Sequence, residues 1–171
     1  DAKEDVNIKS SIGRWNNSQI KVTDGKTLDL INNQWHTQGS LTKTGGSINF
    51  ENMVWNLTDD TTYTSDTDIE VKTLLLNDNV LELGSADSDI TVVDNMTFNN
   101  SNERFITGLA DIILEKSVSL EDGLISSTGG IVSLEKGGNQ SGGELDVTAS
   151  IFKLGDDFSK SGGTLTSTEN G

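Results

Sequence analysis

Carboxylates dominate the groups in this chain that could do chemistry. Its 171 residues include 27 Asp and Glu, 12 Lys and Arg, one His and no Cys. Acid pairs stand close together at Asp59-Asp60, Asp66 with Asp68, Asp87 with Asp89, Glu121-Asp122 and Asp156-Asp157. Calcium needs roughly six to eight oxygen ligands, several of them carboxylates. The repeat-type calcium signature GGxGxD does not occur, since Gly137-Gly138 leads straight into Asn139. The loop pattern D-x-D-x-D-G is missing too, so no metal or cofactor is expected. Carboxylates also act in pairs on glycosidic bonds, but acids this frequent single out no pair. Arginine is scarce, with Arg14 and Arg104 alone. His36 has neither a cysteine nor a serine-elbow partner, and it directly follows Trp35, so it points outward where Trp35 points inward. No catalytic residue is assigned, and the chain is expected not to be an enzyme.

The glycines carry turns rather than phosphate chemistry. Thr44-Gly45-Gly46, Thr128-Gly129-Gly130, Ser141-Gly142-Gly143 and Ser161-Gly162-Gly163 each directly precede an apolar-polar stretch. A phosphate loop would instead open a helix. Thr-x-Thr pairs at Thr42, Thr62 and Thr164 do not fall in consecutive rows at one offset, so an ice-binding ladder is not expected. Sequons begin at Asn16, Asn56, Asn95, Asn99 and Asn139. They favour an exported protein only weakly in a chain so rich in Asn and Thr.

What must position all these groups is a repeat. The three tryptophans lie at 15, 35 and 55. A fixed period of about twenty marks a repeat architecture. Apolar-x-apolar pairs, the sign of a strand with one buried face, recur at Leu28/Leu30, Ile48/Phe50, Ile69/Val71, Ile90/Val92, Ile112/Leu114, Val132/Leu134 and Phe152/Leu154. Steps between them are 20 to 22 residues, and Ile8 could start the column one row earlier. A second apolar spot follows in each row at Trp15, Trp35, Trp55, Leu76, Met96 with Phe98, Val118 with Leu120, and Phe158. A third comes at Ile20 with Val22, Leu41, Leu81 with Leu83, Leu124, Leu145 with Val147, and Leu165. The row at Gly137–Gln140 lacks its second spot.

Three spots per row predict three short strands and three corners. The expected fold is all-β: a single parallel β-solenoid, three-sided and right-handed, of about eight coils of 20–22 residues. Residues 1–10 are expected to form a lead-in or cap and residues 11–171 the solenoid. Trp15, Trp35, Trp55 and Leu76 are expected to stack as one structural core column. No window of helical periodicity occurs, and an antiparallel sandwich would not demand equal rows. At the strand spacing of roughly 4.8 Å per coil, the rod would be about 40 Å long.

The net charge of −15 sets the partners. A nucleic-acid backbone needs a basic surface, so nucleic acid is not expected. No apolar run approaches the length of a membrane-spanning helix, and no membrane insertion of this segment is expected. Strong negative charge keeps a secreted protein soluble.

Rows such as DGKTLDLINNQWHTQGSLTKTGGSINF resemble the passenger β-helices of bacterial surface adhesins, of the autotransporter and filamentous-haemagglutinin-like type. The likeness runs from about Ile8 to Leu165 and rests on Asn-, Thr-, Gly- and Asp-rich rungs with no cysteine. Those proteins share no catalytic residues. The resemblance implies an extracellular or cell-surface location in a bacterium and a non-enzymatic adhesin or structural module. Its partner would be a surface glycan or protein of a host or neighbouring cell, or further copies of itself end to end. The alternatives are a self-assembling filament or sheath subunit, and a polysaccharide-acting β-helix enzyme or phage-spike domain.

Overall fold

The structure is a computed structural model and describes residues 4–86, 88–148 and 150–167. Every regular element among them is a β-strand, and every strand pairing is parallel. No helix occurs there, hence none long and apolar enough to cross a membrane. Parallel neighbours separated by one full row require the chain to coil, and eight rows stack as a three-sided β-solenoid.

The first face begins with Val6–Lys9, Thr27–Ile31 and Ser47–Glu51. It continues with Ile69–Val71, Ile90–Val92, Ile112–Leu114, Ile131–Leu134 and Ile151–Leu154. Alternation of apolar and polar residues sends one set inward at each rung. The register matches the sequence period: Ile8 faces Leu30, Leu28 faces Ile48, and Ile69, Ile90, Ile112, Val132 and Phe152 form one line. Val6–Lys9, read from sequence as lead-in, already pairs with Thr27–Ile31 as the first strand of this ladder. The face divides into two hydrogen-bonded sheets between Ser47–Glu51 and Ile69–Val71.

Three separate short strands per coil hold from the fourth coil onward. In the first three coils the second and third faces share long strands, Ile12–Lys21, Gln34–Thr44 and Val54–Thr64. Each pair of long strands slips register at the corner, between Asn16 and Ser18 and between Thr37 and Gly39. A bulge adds a residue and bends the strand. Here Asn17 (φ 44°) and Gly39 (φ 70°) supply the left-handed backbone. Asn17 Oδ1 accepts the Ser40 N–H at 3.0 Å, and a side chain on Gly39 would overlap that amide.

The aromatic column departs from the expected stack. Trp35 and Trp55 are register partners and fully buried, at 1% and 0% exposure. Trp15, however, is paired with Thr37; the residue facing Trp35 is Gly13. The Trp15 indole folds back over the bare Gly13 and reaches Trp35, ring centroids 5.5 Å apart. The next register partner of Trp55 is Leu74; Leu76 is also buried, two residues further on. The rings meet tilted or edge-on: Trp35–Phe50, Trp35–Trp55 and Trp55–Tyr63 lie at 5.3, 6.1 and 5.2 Å, with planes 76–83° apart. Edge-on contact matches the positive rim of one ring to the negative face of another.

On the third face, Leu81, Phe105, Ile125, Leu145 and Leu165 are in line. Ile125, not Leu124, is therefore the inward residue of its row, and it is buried. Gln140 takes the inward place in the row that lacked an apolar spot, at 0% exposure. Its Nε2 donates to the Thr164 carbonyl at 2.8 Å. Corner glycines there answer to close approach: a Cβ on Gly142 would overlap the Glu121 carbonyl of the preceding coil.

Candidate binding groove on the N-terminal coils

Several of the flagged carboxylates serve the backbone. A strand that opens a rung leaves its first N–H without a ladder partner, and a carboxylate one rung earlier accepts it. Asp5 Oδ1 takes the Thr27 N–H at 2.9 Å, Asp60 Oδ1 that of Val80 at 2.8 Å, Asp89 Oδ1 that of Asp111 at 2.7 Å, and Asp111 Oδ1 that of Ile131 at 2.7 Å. Asp122 accepts from Gly123 at 2.9 Å. Asp156 pairs with Lys136 at 3.3 Å. Asp87 lies outside the described residues. No group of three or more metal-capable side chains forms among the described residues. The division of the first face opens a cleft of about 480 Å³ that holds Asp68 and Glu70, two carboxylates from one rung, beside Phe50.

A second cleft, of about 330 Å³, is built differently. It lies on the outward side of the three long strands and is lined by Arg14, Trp15, Asn16, His36, Gln38 and Thr58. Parallel register makes the lining: Arg14 faces His36, and Asn16 faces Gln38, one rung apart. Neighbouring strands lie roughly 4.8 Å apart, so donors on adjacent rungs are spaced like the polar groups of a small ring. Arg14 is exposed, and its guanidinium has no hydrogen bond or ion pair among the described residues. His36 faces this groove while Trp35 is buried, as their alternation requires.

An amide relay orients the imidazole. Asn77 Nδ2 donates to the side-chain oxygen of Asn56 and, at 3.0 Å, to the Leu57 carbonyl. With its oxygen so engaged, Asn56 turns its Nδ2 toward His36 Nδ1, 3.3 Å away. Neutral His36 then accepts at Nδ1 and carries its proton on Nε2. Asn77 itself holds a left-handed backbone, φ 50°, which asparagine tolerates better than most residues.

The acids are also sparser at this end of the chain: residues 1–43 carry six basic residues against five acids. Residues 44–171 carry six basic residues against 22 acids. Three other clefts contain acids: Asp68 and Glu70, Glu103, and Asp60 and Glu82.

One charged site went unseen in the sequence. Lys43 sits in register with Ile20 and points inward, 1% exposed. Its Nζ donates to Asp66 Oδ1 at 2.6 Å, the Gly46 carbonyl at 2.7 Å and Thr67 Oγ1 at 3.0 Å. Asp66 also accepts the Gly45 N–H at 2.8 Å. Partial burial raises the Asp66 pKa, but the bonds from Lys43 and Gly45 and the Lys43 charge outweigh it and hold the carboxyl below its usual range. Beside them, burial pushes the Tyr63 phenol up to about 12. The signal for Lys43 was its parity: it stands two residues after the inward Leu41. Tyr63 and Phe105 follow the same parity and were likewise passed over.

Of the expected column, Trp35 and Trp55 are sealed in the core, so they offer no ring face to a ligand. Trp15 alone lies half-buried at the surface and lines the groove. Comparison with protein families, curated proteins and solved structures finds no match to this chain.

Proposed function

We propose that this chain is a non-enzymatic extracellular module of a bacterial surface protein, a stiff β-solenoid that displays a binding face. The carrying observation is the parallel register of the first coils, continuous along the second face up to the corner bulges at Asn17 and Gly39. It sets outward side chains in straight ladders whose groove chemistry is donor-rich and rigid. The adhesin-like rungs of Asn, Thr, Gly and Asp support the extracellular setting, as does a cysteine-free acidic composition. A preorganised face of this kind binds without paying for loop ordering.

The test is retention of the purified protein on immobilised polysaccharides and on bacterial and host cell surfaces, with the eluted glycan analysed for new ends. Retention with intact glycan is the expected result. Release of shortened chains would establish an enzyme, and retention on no surface would remove the adhesin reading.

A further inference from the structure

We infer that the groove between Arg14 and Thr58 is a binding site for a carboxylated sugar, a uronic-acid residue within an oligosaccharide. The inference rests on the display-module reading and names the ligand class of its face. Charge selects the anion. The chain repels anions over most of its length, yet this cleft is lined by an unpaired guanidinium and by an imidazole, with no acid among its lining residues. A guanidinium takes a carboxylate through two parallel N–H bonds. Arg14 and His36 stand side by side on adjacent rungs, so Arg14 takes the carboxylate and His36 Nε2–H donates to an oxygen next to it.

The remaining lining selects a sugar over an acidic peptide. Asn16 and Gln38 present amides, each both donor and acceptor, which suit hydroxyls that also do both. Thr58 adds a hydroxyl at the rim, although its Oγ1 already donates to the Thr37 carbonyl at 3.1 Å and so serves as an acceptor. Trp15 is the only apolar residue of the lining. A peptide would seek the backbone of an open strand edge or a hydrophobic groove. Ile12–Lys21, which carries Arg14 and Asn16, is the outermost strand of its sheet, but the cleft is formed by side chains on the sheet's face and not by its free backbone edge. Triglutamate tests the peptide alternative directly. Its volume, about 330 Å³, accommodates one or two pyranose rings.

The experiment titrates the protein with galacturonic-acid trisaccharide, with its fully methyl-esterified form, and with triglutamate. Binding is read by calorimetry and tryptophan fluorescence. Arg14→Ala is compared with Arg104→Ala, which removes the same charge from the third face outside the groove. Circular dichroism confirms that both variants fold. Expected are binding of the acidic trisaccharide and weakening by about tenfold or more on esterification or in Arg14→Ala, the loss that goes with a charge-assisted pair. Arg104→Ala should bind as the parent does, and triglutamate at least tenfold more weakly than the sugar. The inference is overturned if the trisaccharide does not bind, if the ester binds equally well, if the two arginine variants behave alike, or if triglutamate competes on equal terms. Retention on neutral glycans with Arg14→Ala unaffected would sink this ligand class alone and leave the display function standing.

Discussion

Lys43 occupies a ladder position whose register partner Ile20 is aliphatic, and its ammonium is held by three oxygens. Removing one member of such a set leaves a buried cation short of partners, whereas removing the charge itself is tolerated. Asp66→Asn should therefore destabilise the fold by about 1–2 kcal/mol, modest because the carboxylate is half exposed, while Lys43→Met should be near neutral. Urea unfolding measures both. The pH dependence has a definite sign. Asp66 has a lowered folded pKa, so its contribution is complete above the unfolded carboxyl value near pH 4 and disappears as pH falls through the lower folded value. The gap between parent and Asp66→Asn should be constant at neutral pH and close in acid; a gap unchanged at pH 2–3 would refute the pairing. Such a site is legible in principle, because strand parity places Lys43 inward. A count of apolar spots alone passes over it, as it passes over Gln140.

At the scale of strands and corners, the aromatic column makes the first coils the most tightly knit. Trp35 touches the rings of Trp15, Phe50 and Trp55. Trp35→Ala should cost about 3–5 kcal/mol, and Trp15→Ala clearly less, since Trp15 is only partly buried; chemical denaturation followed by circular dichroism compares the two. Equal losses would show that Trp15 is packed as deeply as Trp35. The corners separate two uses of glycine. Gly25 (φ 76°) has open space around it, while Gly142 lies against the Glu121 carbonyl. Gly25→Ala should cost only the left-handed penalty of about 1–2 kcal/mol. Gly142 is not left-handed, but Gly142→Ala must push two coils apart, so its melting temperature should fall further. Period and alternation revealed the rungs because each rung buries a fixed minority of side chains. They could not reveal the merged strands of the first coils, where the turn is made by Asn17 and Gly39 inside a ladder rather than by a break in pairing. Nor could they reveal that Gly13 yields its place over Trp35 to the ring of Trp15.

Over the whole molecule, shape and charge are decoupled. The coils repeat, but the charge does not: a nearly neutral stretch at residues 1–43 precedes a strongly acidic remainder. An anionic ligand would thus be guided to one end of the rod, and salt should slow its capture more than it speeds its release. The coarse fold was legible in the sequence, down to which residues face each other on the first face. The groove was not, because it joins Arg14, His36, Gln38 and Thr58 from three rungs, and only the exact register brings them together. The most direct test of a rod that binds without cleaving is an amide-resolved NMR titration of the whole chain with galacturonic-acid trisaccharide. The same sample is then followed over hours by the sugar's anomeric signals. We predict shifts concentrated at Arg14, Asn16, His36, Gln38 and Thr58 with the trisaccharide intact. Shifts confined to the acidic coils, or new anomeric signals from shortened sugar, would contradict it.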